Sequence, residues 1–174
     1  CDNNNNEGAG DQQPQQVDFV AQKIGGEYCG QIYDTIYYNY YICFTDNGFD
    51  EAGEYLPNSN YYYLSADEDS TEAIDKYVIP YRLITDHIQL PIGAYSFDGE
   101  STYNAGTFSA SYSKLVKIDA TGKYKPAEND HYFKSGLLFV REDGTLEASL
   151  VTEDGTVHNL TYSGDYALPA APGS

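Results

Sequence analysis

The stretch GLLFVREDGTLEASLVTEDGTVHNLTY, residues 136–162, decides the fold. It holds the tetrapeptide Glu-Asp-Gly-Thr twice, at 142–145 and at 153–156, each time between two runs rich in strand-forming residues. Asp-Gly supplies the positive φ that tight hairpin turns require. Between the turns Leu146, Ala148 and Leu150 alternate with Glu147 and Ser149, which is the pattern of a sheet with one solvent-exposed face. The stretch therefore predicts a three-stranded antiparallel meander.

The same sequence pattern extends back to Val17, because short apolar and aromatic runs alternate there with turn residues. We predict a single antiparallel all-β domain over residues 17–167, most simply a two-sheet sandwich. A closed meander barrel of lipocalin-like shape is the alternative, and pairing between the strand near Tyr28 and the strand near Tyr162 would distinguish the two. The predicted strands are Glu27 to Tyr33, Tyr38 to Thr45, Tyr61 to Ser65, Tyr95 to Phe97, Gly106 to Tyr112, Gly136 to Arg141, Leu146 to Thr152 and Val157 to Tyr162.

Three segments depart from this pattern. Asp67 to Tyr77 could form a short helix, because Ala73, Ile74 and Tyr77 share a helical face. Residues 1–16 are rich in Asn, Gln and acidic residues, which predicts a disordered tether. Residues 168–174 consist mainly of Pro, Ala and Gly and are expected to fray.

The charge balance limits the partners. The chain carries 27 acidic and 9 basic residues, for a net charge of −18. Repulsion therefore argues against nucleic acid and an anionic membrane surface as natural ligands. No apolar run approaches the about 20 residues that cross a bilayer.

Cysteines indicate an exported protein. Cys1 precedes the acidic tether, as in bacterial lipoproteins cleaved before a lipid-modified Cys. We therefore expect a lipid anchor at Cys1 and a place in the bacterial cell envelope, at the outer membrane, facing the periplasm or the surface.

Cys29 and Cys43 lie equally far from Ile36, so a hairpin there would set them opposite each other within reach of a disulfide. We expect two buried free thiols, with the disulfide as the alternative.

Catalytic motifs are missing from the sequence: it has no nucleophile elbow, zinc-protease helix or phosphate-binding loop. The histidines, His87, His131 and His158, form no close pair. We therefore predict a non-catalytic protein with no cofactor, and an unrecognised hydrolase that uses two carboxylates is an alternative.

Two acidic loops are weak calcium candidates, the first with Asp46, Asp50, Glu51 and Glu54, and the second with Asp67, Glu68, Asp69 and Glu72.

Tyrosine is the most informative residue type, with 19 copies beside 7 Phe and no Trp. Neighbouring tyrosines in a strand point to opposite faces, so each run should place some rings on an outer face where they can stack on a sugar or contact a partner. Packing within the sheet is the alternative role. The candidate ligand-binding residues are Tyr37, Tyr38, Tyr40, Tyr41, Tyr61, Tyr62 and Tyr63.

Together, Cys1 with its Asn-rich tether, residues 39–46 (NYYICFTD), residues 91–97 (PIGAYSF) and the Asp-Gly-Thr hairpins resemble surface lipoproteins of the Bacteroidetes type. The resemblance implies an envelope protein that acts as a glycan-binding accessory or as a fimbria-like adhesin. We therefore expect a binding module for a glycan or a peptide that uses surface tyrosines. A structural or adhesive envelope protein is the alternative.

Overall fold

The structure is a computed structural model that describes residues 14–31, 37–68 and 89–171. It confirms the all-β prediction. Its strands are β1 (Gln16–Val20), β2 (Lys23–Gly30), β3 (Tyr38–Thr45), β4 (Ser59–Glu68), β5 (Gly93–Asp98), β6 (Thr107–Ser109), β7 (Lys114–Ile118), β8 (Asp130–Val140), β9 (Leu146–Thr152) and β10 (Val157–Tyr162). A 3-10 turn (Ala110–Tyr112) follows β6, and a one-turn helix, α1 (Pro126–Asn129), precedes β8.

All ten strands belong to one hydrogen-bonded sheet, so the closed barrel is the arrangement that the structure adopts. Five strands form a closed ring in the order β4, β7, β8, β5, β6 and back to β4. Strands β3 and β2 extend the sheet from β4, and β9, β10 and β1 extend it from β8. The pairs β1–β10 and β5–β6 are parallel, and the other pairs are antiparallel.

The chain joins the two outer ends of this sheet where β1 turns into β2. The Ala21 N–H donates to the Thr161 carbonyl on one side, and the Gln22 N–H donates to the Thr45 carbonyl on the other. Tyr28 does not pair with the strand near Tyr162 but with the segment that follows it, where it bonds Pro169 and Ala171. Leu168 is completely buried, so the segment expected to fray is docked as far as residue 171.

The meander of β8, β9 and β10 confirms the hairpin prediction. Gly144 and Gly155 have φ of 90° and 91°, and each Asp side chain accepts the N–H of the Thr two residues later, at 2.9 Å in the first turn and 3.0 Å in the second. Leu146, Ala148 and Leu150 face the interior as predicted. The two turns therefore fix the register of three strands.

A single interior core receives side chains from most strands. Its largest completely buried members include Tyr40, Tyr95, Phe44 and Phe108. Burying a large apolar side chain contributes about 1.5–3 kcal/mol, so these rings carry much of the stability. A smaller cluster lies on the outer face of β3, β4 and β7, where Cys43, Tyr61, Val116 and Ile118 pack beneath the β3–β4 loop.

Two predictions of secondary structure need correction. The predicted helix from Asp67 is wrong at its start, because Asp67 and Glu68 continue β4 in pairing with β3; residues 69–77 lie outside the described residues. Strands β1 and β7 were not predicted. β7 is apolar at adjacent positions because Leu115 faces the interior while Val116 faces the outer cluster.

Candidate functional site

Strand alternation divides the candidate tyrosines between two faces. Tyr40 and Tyr62 are buried in the interior, and Tyr38 packs against the same core. Tyr37 is half-buried just before β3. The structure therefore places Tyr40 and Tyr62 in the core packing, while Tyr37 and Tyr38 stay partly exposed.

Tyr61 points outward but is covered by the β3–β4 loop. Its hydroxyl donates to the Gly48 carbonyl at 2.5 Å and accepts the Leu56 N–H at 2.9 Å. The Phe49 and Tyr55 rings pack against it, with centroids 5.1 and 4.6 Å away. Tyr61 therefore fixes the loop and is not available to a ligand.

Tyr41 and Tyr63 remain on the outer face, and two tyrosines that the sequence did not single out extend them. We call Tyr41, Tyr63, Tyr55 and Tyr124 the tyrosine row. The rings of Tyr41 and Tyr63 are stacked at 5.3 Å with planes 16° apart, and the Tyr63 and Tyr55 hydroxyls are 3.0 Å apart. The Tyr124 ring then meets the Tyr55 ring edge-on at 5.1 Å. The row is thus continuous, and Tyr124 is its most exposed member at 37%.

Polar groups close one end of the row. The Tyr124 hydroxyl donates to the Asp130 carboxylate at 2.9 Å, and the Lys114 ammonium binds the same carboxylate at 3.0 Å. Lys114 also lies 3.3 Å from the Tyr124 hydroxyl and 5.9 Å from its ring centroid. Tyr132 pairs with Lys114 across β7 and β8 and is 40% exposed, which widens the aromatic surface here.

The phenols of the row are neutral at physiological pH. Burial raises the pKa of Tyr41, Tyr55 and Tyr63 above the usual value. Partial burial and the hydrogen bond to Asp130 raise the pKa of Tyr124 as well. A surface of neutral hydroxylated rings beside one balanced ion pair can stack on apolar ring faces and exchange hydrogen bonds with hydroxyl groups.

The first acidic loop uses its carboxylates to hold its own backbone. Asp46 accepts the N–H of Asn60 and the side-chain amide of the same residue, and Asp50 accepts the N–H groups of Ala52 and Glu54. In the part of the chain that the structure describes, no three acidic, His or Cys side chains converge on a point where a metal could sit. The geometry therefore gives no support to a calcium site at Asp46, Asp50, Glu51 and Glu54. In the second loop, Asp69 and Glu72 lie outside the described residues.

The disulfide alternative is wrong, because the register of β2 and β3 places Cys43 opposite Gly25. Cys29 lies four residues further along β2, or roughly 13 Å, which is beyond the reach of a disulfide. Both thiols are free, and burial raises the pKa of Cys29 to about 11. Cys1 lies outside the described residues, and its lipidation stays a prediction.

One carboxyl group has the raised pKa that a general acid needs. Burial raises the pKa of Asp67 to about 6, against the opposing effect of a hydrogen bond from Asn39. The side chain is completely buried beside Ser65, so a substrate does not contact it. Burial therefore keeps Asp67 itself from acting on a substrate. The histidines are dispersed: His158 is buried, His131 is exposed, and His87 lies outside the described residues.

Sequence reasoning missed Tyr55, Tyr124, Lys114 and Asp130. Tyr55 and Tyr124 lie in loops next to prolines, where no periodicity shows which way a ring points. Lys114 belongs to β7, whose double-sided burial removed the alternation that reveals a strand. Only the pairing of β4, β7 and β8 brings the four together.

Comparison of the chain with protein families, curated proteins and solved structures finds no match. Among the described residues, no helix has the length and apolar character needed to cross a bilayer. The assignment of function therefore depends on the geometry of the tyrosine row.

Proposed function

We propose that this protein is a non-catalytic binding module and that the tyrosine row, together with Tyr132, binds a neutral glycan. The observation that carries the proposal is the continuous outward-facing line of aromatic rings that ends in Tyr124 and the Lys114–Asp130 ion pair. Aromatic rings stack on the apolar faces of sugar rings, while the flanking polar groups exchange hydrogen bonds with sugar hydroxyls.

The row is preorganised. Tyr41 and Tyr63 are stacked and lie on neighbouring central strands, and Tyr55 is held by the Tyr63 hydroxyl and by packing on Tyr61. Rings that are already fixed lose little conformational entropy on binding. The row therefore has the rigidity expected of a ligand platform on a barrel scaffold.

The charge distribution favours a neutral ligand. The net charge is −18, and Asp130 already neutralises Lys114, the cation that contacts the row. A polyanionic glycan would be repelled, whereas a neutral chain meets only phenols and a balanced pair. A peptide is the alternative ligand class, because tyrosine surfaces also bind backbone amides.

A thermal-shift screen tests the ligand class. The domain is heated with neutral polysaccharides such as xylan, mannan, starch and β-glucan, with anionic polysaccharides, and with a peptide library. A ligand at about a hundred times its dissociation constant stabilises by about 2.7 kcal/mol, which shifts the transition clearly. A shift with a neutral polysaccharide supports the proposal. A shift with peptides alone, or with no compound at all, contradicts it.

For location we propose the lipid-anchored envelope protein that the sequence suggests. Its support is the resemblance of Cys1 and the Asn- and Gln-rich residues after it to bacterial surface lipoproteins. The intact mass of the native protein from the membrane fraction tests this, since a diacylglyceryl group on Cys1 adds a defined mass that Cys1→Ser removes. An unmodified mass in the soluble fraction would contradict it.

A further inference from the structure

A second polar site lies at one end of the barrel interior, apart from the tyrosine row. A cavity of about 140 Å³ opens there between β1, β7, β8 and the β9–β10 hairpin. At roughly 30 Å³ for each molecule of liquid water, this volume equals that of four or five waters. The residues that matter in its wall are Lys117, His131, Thr152, Asp154, Thr156 and His158.

The floor of the cavity is built from fixed polar groups. His158 is buried, with Nδ1 2.8 Å from the Tyr62 hydroxyl and Nε2 3.2 Å from the Thr152 hydroxyl. The Thr152 hydroxyl donates in turn to the Asp154 carboxylate at 2.7 Å. A buried polar chain of this kind has one arrangement, so the floor presents a defined surface to whatever occupies the cavity.

The wall carries two basic side chains, Lys117 and His131. Lys117 follows the core residue Leu115 on the inner face of β7, and His131 pairs with Leu115 from β8. Within the described part of the chain, the side chains of Lys117 and His131 make no hydrogen bond and no ion pair. Burial lowers the pKa of His158, the Asp154 carboxylate opposes this shift, and Lys117 and His131 add smaller effects that lower the pKa. Three basic side chains therefore face one space.

Asp154 is the acidic residue among the described residues of the wall, and hydrogen bonds within the hairpin hold its carboxylate. It accepts the Thr156 N–H at 3.0 Å as well as the Thr152 hydroxyl, and these hydrogen bonds, the one from the Thr156 N–H first, lower its pKa to about 2. The cluster of basic groups thus stands out on a chain with a net charge of −18. Carboxylate and phosphate oxygens accept hydrogen bonds from a Lys ammonium and a His imidazole.

We propose that this cavity binds a small oxyanion, a carboxylate or a phosphate, between Lys117 and His131 and above His158. The ligand is small because the cavity is small. The site is independent of the tyrosine row, which lies on the outer face of the sheet, so failure of one proposal leaves the other standing.

The test is a titration of the domain with sodium phosphate, and separately with sodium acetate, at constant pH and ionic strength. The imidazole signals of His131 and His158 are followed by NMR. We expect at least one anion to shift both signals with saturation, while sodium chloride leaves them unchanged. Saturation with acetate alone identifies a carboxylate ligand, and saturation with phosphate alone identifies a phosphate ligand. If neither anion shifts the signals with saturation, the proposal is overturned.

A matched pair of lysine variants separates a site from general charge. Lys117→Ala should weaken the binding of the anion about tenfold, because it removes a charge-assisted hydrogen bond. Lys123→Ala removes the same charge from an exposed turn outside the cavity and should leave the affinity unchanged. Equal weakening by the two variants would overturn the proposal. Lys117 and Lys123 are both exposed, so neither substitution should disturb the fold.

Discussion

The hydroxyl group of Tyr62 lies 2.8 Å from Nδ1 of His158, which joins β4 to β10 through the interior although the two strands are not neighbours in the sheet. The two rings also pack edge-on with centroids 5.4 Å apart. Both side chains are buried, so this contact is a polar link within a mostly apolar core. Tyr62 was predicted as a ligand-binding residue, and the structure gives it this internal role instead.

Removing this link should destabilise the barrel. Tyr62→Phe keeps the ring but leaves Nδ1 of His158 buried without its partner, which costs about 1–3 kcal/mol. Urea unfolding measures the change. Tyr132→Phe is the matched control, because Tyr132 is exposed and its loss of a hydroxyl should change stability by less than about 0.5 kcal/mol. Equal effects of the two changes would show that the link contributes nothing.

Acid should weaken the fold through His158. Burial lowers its pKa in the folded state below the ordinary 6.5, so the unfolded chain binds the proton more readily. The free energy of unfolding therefore falls as the pH drops below about 6.5, by at most about 1.4 kcal/mol per pH unit for one proton. His158→Gln should lack this contribution. The difference in unfolding free energy between the two proteins, measured from pH 8 to pH 5, should thus depend on pH; a constant difference would refute this assignment.

Asp67 should act in the opposite direction. Its pKa is about 6 in the folded state and 3.8 ordinarily, so the folded chain holds a proton that the unfolded chain loses between these values. Stability therefore falls as the pH rises from about 4 to about 6 and is then constant. Asp67→Asn removes the buried charge and should stabilise the protein above pH 6 by about 1–3 kcal/mol, with a smaller gain at pH 4. Denaturant unfolding at the two pH values measures this. A variant less stable than the wild type at pH 7 would count against the argument.

Gly26 fixes the register of β2 on β3. Its φ is 111°, and a Cβ there would lie 2.0 Å from the Tyr41 carbonyl oxygen. Gly26→Ala should cost at least about 3 kcal/mol, because the strain of positive φ and the clash add. Gly53 also has positive φ, at 80°, but nothing lies near its Cβ position. Gly53→Ala should therefore cost only about 1–2 kcal/mol in thermal or urea unfolding. Similar costs would show that the close approach to Tyr41 has no role.

The parts of the fold that the sequence predicted well are those set by local chemistry. The Asp-Gly turns at Gly144 and Gly155 fix their strands within a few residues, and the alternation of β9 assigns its two faces without reference to the rest of the chain. Strand β3 was predicted with its observed bounds because its aromatic and β-branched residues are continuous.

The sequence-based predictions that were wrong or incomplete concern features that depend on long-range strand pairing. Cys29 and Cys43 were set opposite each other by a turn assumed near Ile36, whereas the register is shifted by four residues and broken after Tyr28. No Asp-Gly or Asn-Gly pair occurs in residues 31–37, so the sequence had no means to fix the register. The tyrosine row likewise combines rings from two loops with rings from two strands, and the β4–β7 and β7–β8 pairings bring them together. Alternation predicted only that each tyrosine run divides between two faces; it did not assign Tyr41 and Tyr63 to the outer face or show which other rings meet them.

The most direct test of the proposed function is binding of the labelled domain to an array of neutral glycans, compared across three proteins. The wild type should bind at least one glycan, and the double variant Tyr124→Ala with Tyr132→Ala should lose at least about tenfold in affinity with little change in melting temperature. Tyr112→Ala, at an exposed tyrosine outside the row, should bind like the wild type. Undiminished binding by the double variant, or no binding of any neutral glycan by the wild type, would contradict the account.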